Sequence, residues 1–281
     1  MFTGYNLVVD KEDKNINFLQ YTKKGEDHLK SQKALFKEKI DEYIIDGISD
    51  GTKMERDWFP LIEADIFISH SHIDENLANG IAGWLNEKFG LRCFIDSCVW
   101  NYSDDLLEMI NSEFSNKRKD KYGGYLYNHK KSNTASKHVN TMLSIALQKM
   151  IDKTEATILL NTGNSIEKYD NVYEKSTYSP WIYSEIVCTQ IVRRKPLNEY
   201  RQVLKFAHEN AQINNNKEYK AIYKVSLDHL NDLEIGNLME WKRMYQEKKI
   251  DYPLDYLYAI TNPIEMKNIA EYNDSHDILL G

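Results

Sequence analysis

The chain has 281 residues, with 36 Lys and Arg against 43 Asp and Glu and a formal net charge of -7. That is enough chain to bury a sizeable core, in one large domain or one domain with extensions. The acidic balance argues against general binding to nucleic acid or to an anionic membrane; no run approaches the ~18 apolar residues of a membrane span, and the charged N-terminus does not read as a signal peptide.

Residues 1–22 show only weak strand-like patches such as Leu7-Val8-Val9. Leu29, Phe36, Ile40, Tyr43 and Ile44 recur at helical spacing and predict a helix over 26–46, with Gly47 placed as its C-cap. One amphipathic helix cannot bury its own stripe, so residues 1–60 are expected to form a helical extension packed on the main domain.

From residue 64 the chain alternates strand and helix. The run 66–69 reads as a strand, and Leu77, Ile81, Trp84, Leu85 and Phe89 as a helix capped by Asp74. A strand over 91–96 follows Gly90. The stretch 104–137 exceeds an ordinary connection. Leu106, Leu107, Ile110 and Phe114 suggest a short helix in its first part; the remainder reads as a polar insertion. Between 117 and 137, Lys117, Arg118, Lys119, Lys121, Lys130, Lys131 and Lys137 face one acid, Asp120. A solvated loop explains this cluster, and a basic flap over ligand phosphates is the functional alternative.

Val139, Met142, Leu143, Ala146 and Met150 predict a helix over 139–151, followed by strands over 156–161 and 221–225. The segment 231–281, with Leu233, Leu238, Trp241 and Met244, is expected as a C-terminal helical extension. The alternation predicts an α/β fold, a parallel sheet covered by helices on both faces. Cys93, Cys98 and Cys188 have an odd count and no metal-ligand spacing, so they read as reduced thiols of a cytoplasmic protein without a metal site.

Two segments carry the chemistry. In Ile66-Phe67-Ile68-Ser69-His70-Ser71-His72-Ile73-Asp74 an apolar run breaks at a Ser/His cluster, as when a buried strand delivers polar groups at its carboxyl end. In Ser179-Pro180-Trp181-Ile182-Tyr183-Ser184-Glu185, Ser179 suits an N-cap and Pro180 the first helical position. Trp181 and Glu185 then share one helix face, with Cys188 and Val192 further along and Ile182 and Ile186 beside it. Glu185 is a carboxylate inside an apolar face, a costly arrangement that implies a partner or a task.

These segments resemble the bacterial branch of the Toll/interleukin-1 receptor (TIR) family. Phe67–Asp74 matches its first box, and Ser179, Trp181 and Glu185 match its Ser-x-Trp-x-x-x-Glu pattern. Between them, 91–96 and 156–161 look like the second and third strands. The resemblance covers roughly 64–230, with 104–137 as an insertion and the two ends outside it. It implies a flavodoxin-like TIR fold of strand order 2-1-3-4-5, with a ligand crevice at the carboxyl ends of strands 1 and 3.

The activity implied by the resemblance is cleavage of the nicotinamide–ribose bond of NAD, a substrate rather than a cofactor. Glu185 is then the catalytic carboxylate, and Ser69, His70, Asp96, Trp100 and Trp181 are substrate-binding. The competing readings are structural. Glu185 is then a surface or salt-bridged residue, Trp181 is core, and His70 and His72 cap or pack the strand end. Ser69 ties down the strand terminus, and Asp96 positions the loop that follows.

That loop, Ser97-Cys98-Val99-Trp100-Asn101-Tyr102, lacks the Pro-Gly frequent in receptor TIR domains, where it mediates assembly. The resemblance further implies a homo-oligomer that makes an ADP-ribose-derived messenger for a separate effector protein, as in Thoeris-like antiphage defence. A toxic NADase, a non-catalytic TIR scaffold and a nucleoside deoxyribosyltransferase-like enzyme are the alternatives.

Overall fold

Five strands pair in parallel: β1 (Thr3–Val8), β2 (Ile66–Ser69), β3 (Cys93–Phe94), β4 (Ala156–Asn161) and β5 (Asn231–Leu233), in the spatial order β5-β1-β4-β2-β3. The structure, a computed structural model, describes residues 1–9, 16–31, 40–45, 48–100, 103–169, 172–200, 223–263 and 266. A parallel sheet needs both faces covered. The helices that do so are α1 (Thr22–Ser31), α2 (Gly51–Trp58), α3 (Glu75–Phe89), α4 (Asp96–Val99), α5 (Ser103–Phe114), α6 (His129–Lys153), α7 (Pro180–Ile191), α8 (Ile235–Glu247) and α9 (Leu254–Thr261). One group forms where α3 meets α1 and α8; the other gathers α2, α5 and α7 around α6.

The α/β class and the helix-flanked parallel sheet agree with expectation, and the arrangement is consistent with a flavodoxin-like fold. β2 lies between β3 and β4, as the 2-1-3 part of the expected order requires. The remaining positions differ. β1, from a segment expected to be a helical extension, inserts beside β4, and β5 closes the edge. The expected strand at 221–225 does not join this sheet: Tyr223–Lys224 pairs antiparallel with Val172–Thr177, which also pairs with Glu167–Tyr169. Ala221 and Ile222 lie outside the described residues.

A polar ladder holds β1 in place. Asn161 donates to Asn6 at 2.8 Å, Asn6 donates to Asp232 at 3.2 Å, and Asn231 donates to Thr3 at 2.7 Å. Cross-strand pairs of this kind fix register between neighbouring strands. Beyond β5, Trp241 of α8 is fully buried, stacks on Phe89 at 3.9 Å and donates its indole N–H to the Pro253 carbonyl at 2.8 Å. Thr3–Val8 and Asn231–Leu233 therefore supply sheet strands, and the expected C-terminal helices, α8 and α9, bury Leu238, Trp241, Leu254, Leu257 and Tyr258 in the core.

Other boundaries shift as well. Thr22–Ser31 is helical, Ile40–Tyr43 is a 3-10 turn and Ile44–Ile45 pairs with Ile48–Ser49; residues 32–39, Phe36 among them, and Gly47 lie outside the described residues. α6 begins at His129, ten residues before its expected start, with the Asn128 side chain accepting from the Lys131 N–H at 3.1 Å. The basic insertion is thus a short hairpin, Arg118–Lys119 with Tyr125–Leu126, leading into a helix. At its tip Asp120 accepts from the Tyr122 and Gly124 N–H groups, and Gly123 turns the chain at φ +86°. The tip residues 121–126 are exposed. Replacing 118–126 with a brief Gly/Ser connector should change stability by no more than about 0.5 kcal/mol, as for surface substitutions, read by denaturant unfolding. Loss of the folded state would make the hairpin structural.

Candidate active site

The chain leaves β2 toward β3 at one edge of the sheet and leaves β4 toward β5 at the other. Between two adjacent strands whose connections diverge, a crevice opens at the carboxyl ends, and ligands of open α/β sheets bind there. β2 ends at Ser69, with His70 next in the chain; β4 ends at Asn161, followed by Thr162.

Local sequence aims α7 at this place. Ser179 caps the helix, its hydroxyl accepting from the Ile182 N–H at 3.2 Å, and Pro180 fills the first turn. Ile182, Ile186 and Cys188 turn inward, and so does Glu185, only 5% exposed. The Ser69 hydroxyl donates to its carboxyl at 2.5 Å, joining residues 116 positions apart. No cationic side chain among the described residues pairs with Glu185. Burial, and after it the negative charge of Asp96, push the Glu185 carboxyl up to about 8, against the opposing pull of the Ser69 hydrogen bond.

His70 is 9% exposed, and neither ring nitrogen has a hydrogen-bond partner among the described residues. Burial lowers its pKa, opposed by Asp96 and aided by His72, whose ring lies 6.4 Å away. Asp96 opens α4 just beyond β3 and acts electrostatically on both Glu185 and His70. Ser69, His70, Asp96 and Glu185 therefore converge. Burial thus favours the neutral form of both the Glu185 carboxyl and the His70 imidazole.

Two expectations need correction. Trp100 is not at the crevice: it is 2% exposed, packs edge-on against Phe59 and Phe94, and donates its indole N–H to the Pro60 carbonyl at 2.9 Å. A fully enclosed indole with its one donor satisfied is a core residue. Asp74 stands at the N-cap position before α3 but makes no capping hydrogen bond. Its carboxylate instead crosses to the loop after β4, accepting from Thr162 and, at 2.7 Å, from Asn164. Ser165 tightens that loop by donating to the Leu160 carbonyl and accepting from the Thr162 N–H. This clamp joins the two strand ends that form the crevice.

Comparison with protein-family models, with curated proteins and with solved structures gives no match.

A wider groove of about 660 Å³ lies at the opposite end of the sheet, lined by Asp65, Arg92 and Glu155, which precede β2, β3 and β4. Its cations Arg92, Lys149, Lys153 and Lys195 are neutralised by Asp65, Glu55, Glu63 and Asp152. Position and charge both favour the crevice at Glu185. Among the described residues no group of three or more His, Cys, Asp or Glu side chains is arranged to hold a metal, and no helix is long and apolar enough to cross a membrane.

Trp181 lies one turn before Glu185 and is half-buried against the core. Since part of the ring is open, Trp181→Ala should cost less than the ~3–5 kcal/mol of a fully buried aromatic, while turnover falls or product ratio shifts. A large drop in melting temperature with unchanged products makes Trp181 core.

Proposed function

We propose that the protein cleaves the bond between nicotinamide and ribose in NAD, with Glu185 stabilising the ribosyl cation. The observation that carries this reading is a buried carboxyl at the switch-point crevice, held by Ser69 and lacking a cationic partner among the described residues. Nicotinamide leaves from a cationic pyridinium and departs neutral, so its departure needs no general acid, unlike a glycoside oxygen. The remaining demand is negative charge beside an oxocarbenium-like ribose, and one fixed carboxylate meets it.

Glu185 must be ionised for that task. A pyridinium placed against it favours the charged form, so the substrate itself draws the carboxyl toward carboxylate. Ser69 holds Oε2 and thereby fixes the direction of the carboxylate. His70, whose ring nitrogens have no hydrogen-bond partner among the described residues and whose pKa burial lowers, suits a hydrogen bond to a ribose hydroxyl or the nicotinamide amide. If bulk water is kept out while the cation exists, another atom of the same molecule is the nucleophile and the product is cyclic.

The TIR resemblance extends this reading to a cytoplasmic, self-associating enzyme whose ADP-ribose-derived product signals to a separate effector protein. A second reading draws on the same observation: a protonated Glu185 also suits departure of a neutral base, as in nucleoside deoxyribosyltransferase-like chemistry. Incubation of purified protein with NAD, and separately with deoxynucleosides, followed by mass spectrometry, separates the two. Release of nicotinamide with cyclic or linear ADP-ribose is expected. Turnover of deoxynucleosides alone would replace the first reading with the second.

A further inference from the structure

One stretch of the surface carries charge opposite in sign to the rest of the chain. Between Lys117 and Lys137 seven cations meet one acid, in a protein of net charge -7. Lys117 is paired with Glu108 at 2.9 Å. Arg118, Lys119, Lys121, Lys130, Lys131 and Lys137 are exposed and have no acidic partner among the described residues. The one acid, Asp120, is occupied by the N–H groups of the hairpin tip.

The same hairpin displays aromatic rings among those cations. Arg118 pairs with Leu126 and Lys119 with Tyr125, so Lys119 and Tyr125 share one face of the ribbon. On that face Lys117 Nζ lies 4.1 Å from the centre of the Tyr125 ring and 5.7 Å from that of Tyr127. At the tip Lys121 lies 4.8 Å from the centre of the Tyr122 ring, and Tyr122 and Tyr125 are 84% and 53% exposed. The base holds this display still. The Tyr127 hydroxyl donates to Glu108 at 2.6 Å, the Asn128 N–H donates to the Ser115 carbonyl at 2.7 Å, and the buried Ser115 hydroxyl donates to Asn111 at 2.8 Å. α6 has 25 residues and is about 37 Å long, whereas the 6 residues of β4 span about 20 Å. Since α6 returns the chain to the start of β4, its first turns and the hairpin project past the carboxyl ends of the strands. Screening acts over ~8 Å at physiological salt, so the acidity of the remaining surface does not cancel a patch that stands clear of it.

We propose that this hairpin, with the first turns of α6, binds single-stranded nucleic acid. The cations follow the phosphate backbone, and Tyr122 and Tyr125 stack on its bases, over a site of about four nucleotides. Charge and rings together select this partner. A duplex satisfies the charge but keeps its base faces stacked inside, where the tyrosines cannot reach them. An anionic bilayer also satisfies the charge, but the tip residues Asp120, Lys121, Gly123 and Gly124 offer it no apolar wedge beyond Tyr122. The acidic balance of the whole chain, which opposes nucleic-acid binding in general, leaves this local surface as the place where it occurs. The proposal is independent of the reading of Glu185.

The test is fluorescence anisotropy of the full chain with a short labelled oligothymidylate, and with oligouridylate of the same length, across a range of salt. Both should bind, and affinity should fall as salt rises. Replacing Lys119 and Lys121 together with alanine should flatten the slope of log affinity against log salt by about 1.4, at ~0.7 for each lost phosphate contact. Tyr125→Leu keeps apolar bulk without a ring and should weaken binding about tenfold with the slope unchanged, while Tyr125→Phe keeps the parental affinity. The denaturant midpoint of each variant should match the parent, since all these side chains are exposed. Four results would each overturn the proposal: no binding by the parent at low salt, a leucine variant that binds like the parent, equal affinity for the matching duplex, or preference for phosphatidylserine vesicles over the oligonucleotides. Failure to cleave NAD would remove the reading of Glu185 and leave this one standing.

Discussion

Glu185→Gln should lower NAD cleavage about a hundredfold or more while leaving the protein folded. Glutamine keeps the size of the side chain and a polar contact with Ser69, but no charge can form opposite the ribosyl cation. The same substitution should remove a pH dependence of stability. The folded-state value for Glu185 is raised from 4.5 to about 8. A raised carboxyl contributes stability that is fully present below 4.5 and is lost as pH rises through about 8, because ionisation is easier in the unfolded chain. The parent protein should therefore lose melting temperature across that window more steeply than the glutamine variant. Catalysis runs the other way: the fraction of carboxylate, and with it turnover at low NAD, should climb toward about 8. Parallel stability curves for the two proteins, or a glutamine variant that turns over NAD at the parental rate, would sink the assignment of charge to this residue.

The elements that bracket this residue are legible in the sequence for local reasons. Ile66–Ser69 is a continuous apolar run closed by polar residues, and Ser179-Pro180 satisfies a helix start with two adjacent side chains. Both strand and helix begin where those patterns place them. What escapes local reading depends on partners far along the chain. β1 contains Gly4 and Asn6, which break an apolar pattern; Asn6 is buried only because Asn161 and Asp232 flank it on neighbouring strands. Asp74 has the position of a cap, yet its carboxylate finds donors 88 and 90 residues away. Trp100 follows a strand end, where a core ring and a ligand-stacking ring have the same sequence signature. The first turns of α6, from His129 to Lys137, bury Ala135 alone, so no stripe announces them.

Gly25→Ala should be among the most destabilising single substitutions in the protein. α1 crosses α3 through glycines on both helices. A Cβ at Gly25 would lie 1.8 Å from the Asn79 carbonyl oxygen, one at Gly83 would lie 2.3 Å from the Tyr21 carbonyl oxygen, and one at Gly80 would meet the Phe18 carbonyl oxygen at 2.5 Å. These obstacles are backbone atoms, which cannot rotate away, so the helices must separate. Overpacking usually costs about 1–3 kcal/mol, and a backbone collision belongs at or above the top of that range. Alanine's better helix propensity returns only ~1 kcal/mol. Gly236, in α8, has open space around the same added methyl and serves as the control, with stability unchanged or slightly raised. The measurement is the denaturant midpoint of both variants. The effect should reach the crevice too, because α3 is entered through Asp74, and moving the helix loosens the clamp on Thr162 and Asn164. A Gly25→Ala protein as stable as its parent would mean that the N-terminal segment is not tied to the sheet in this way.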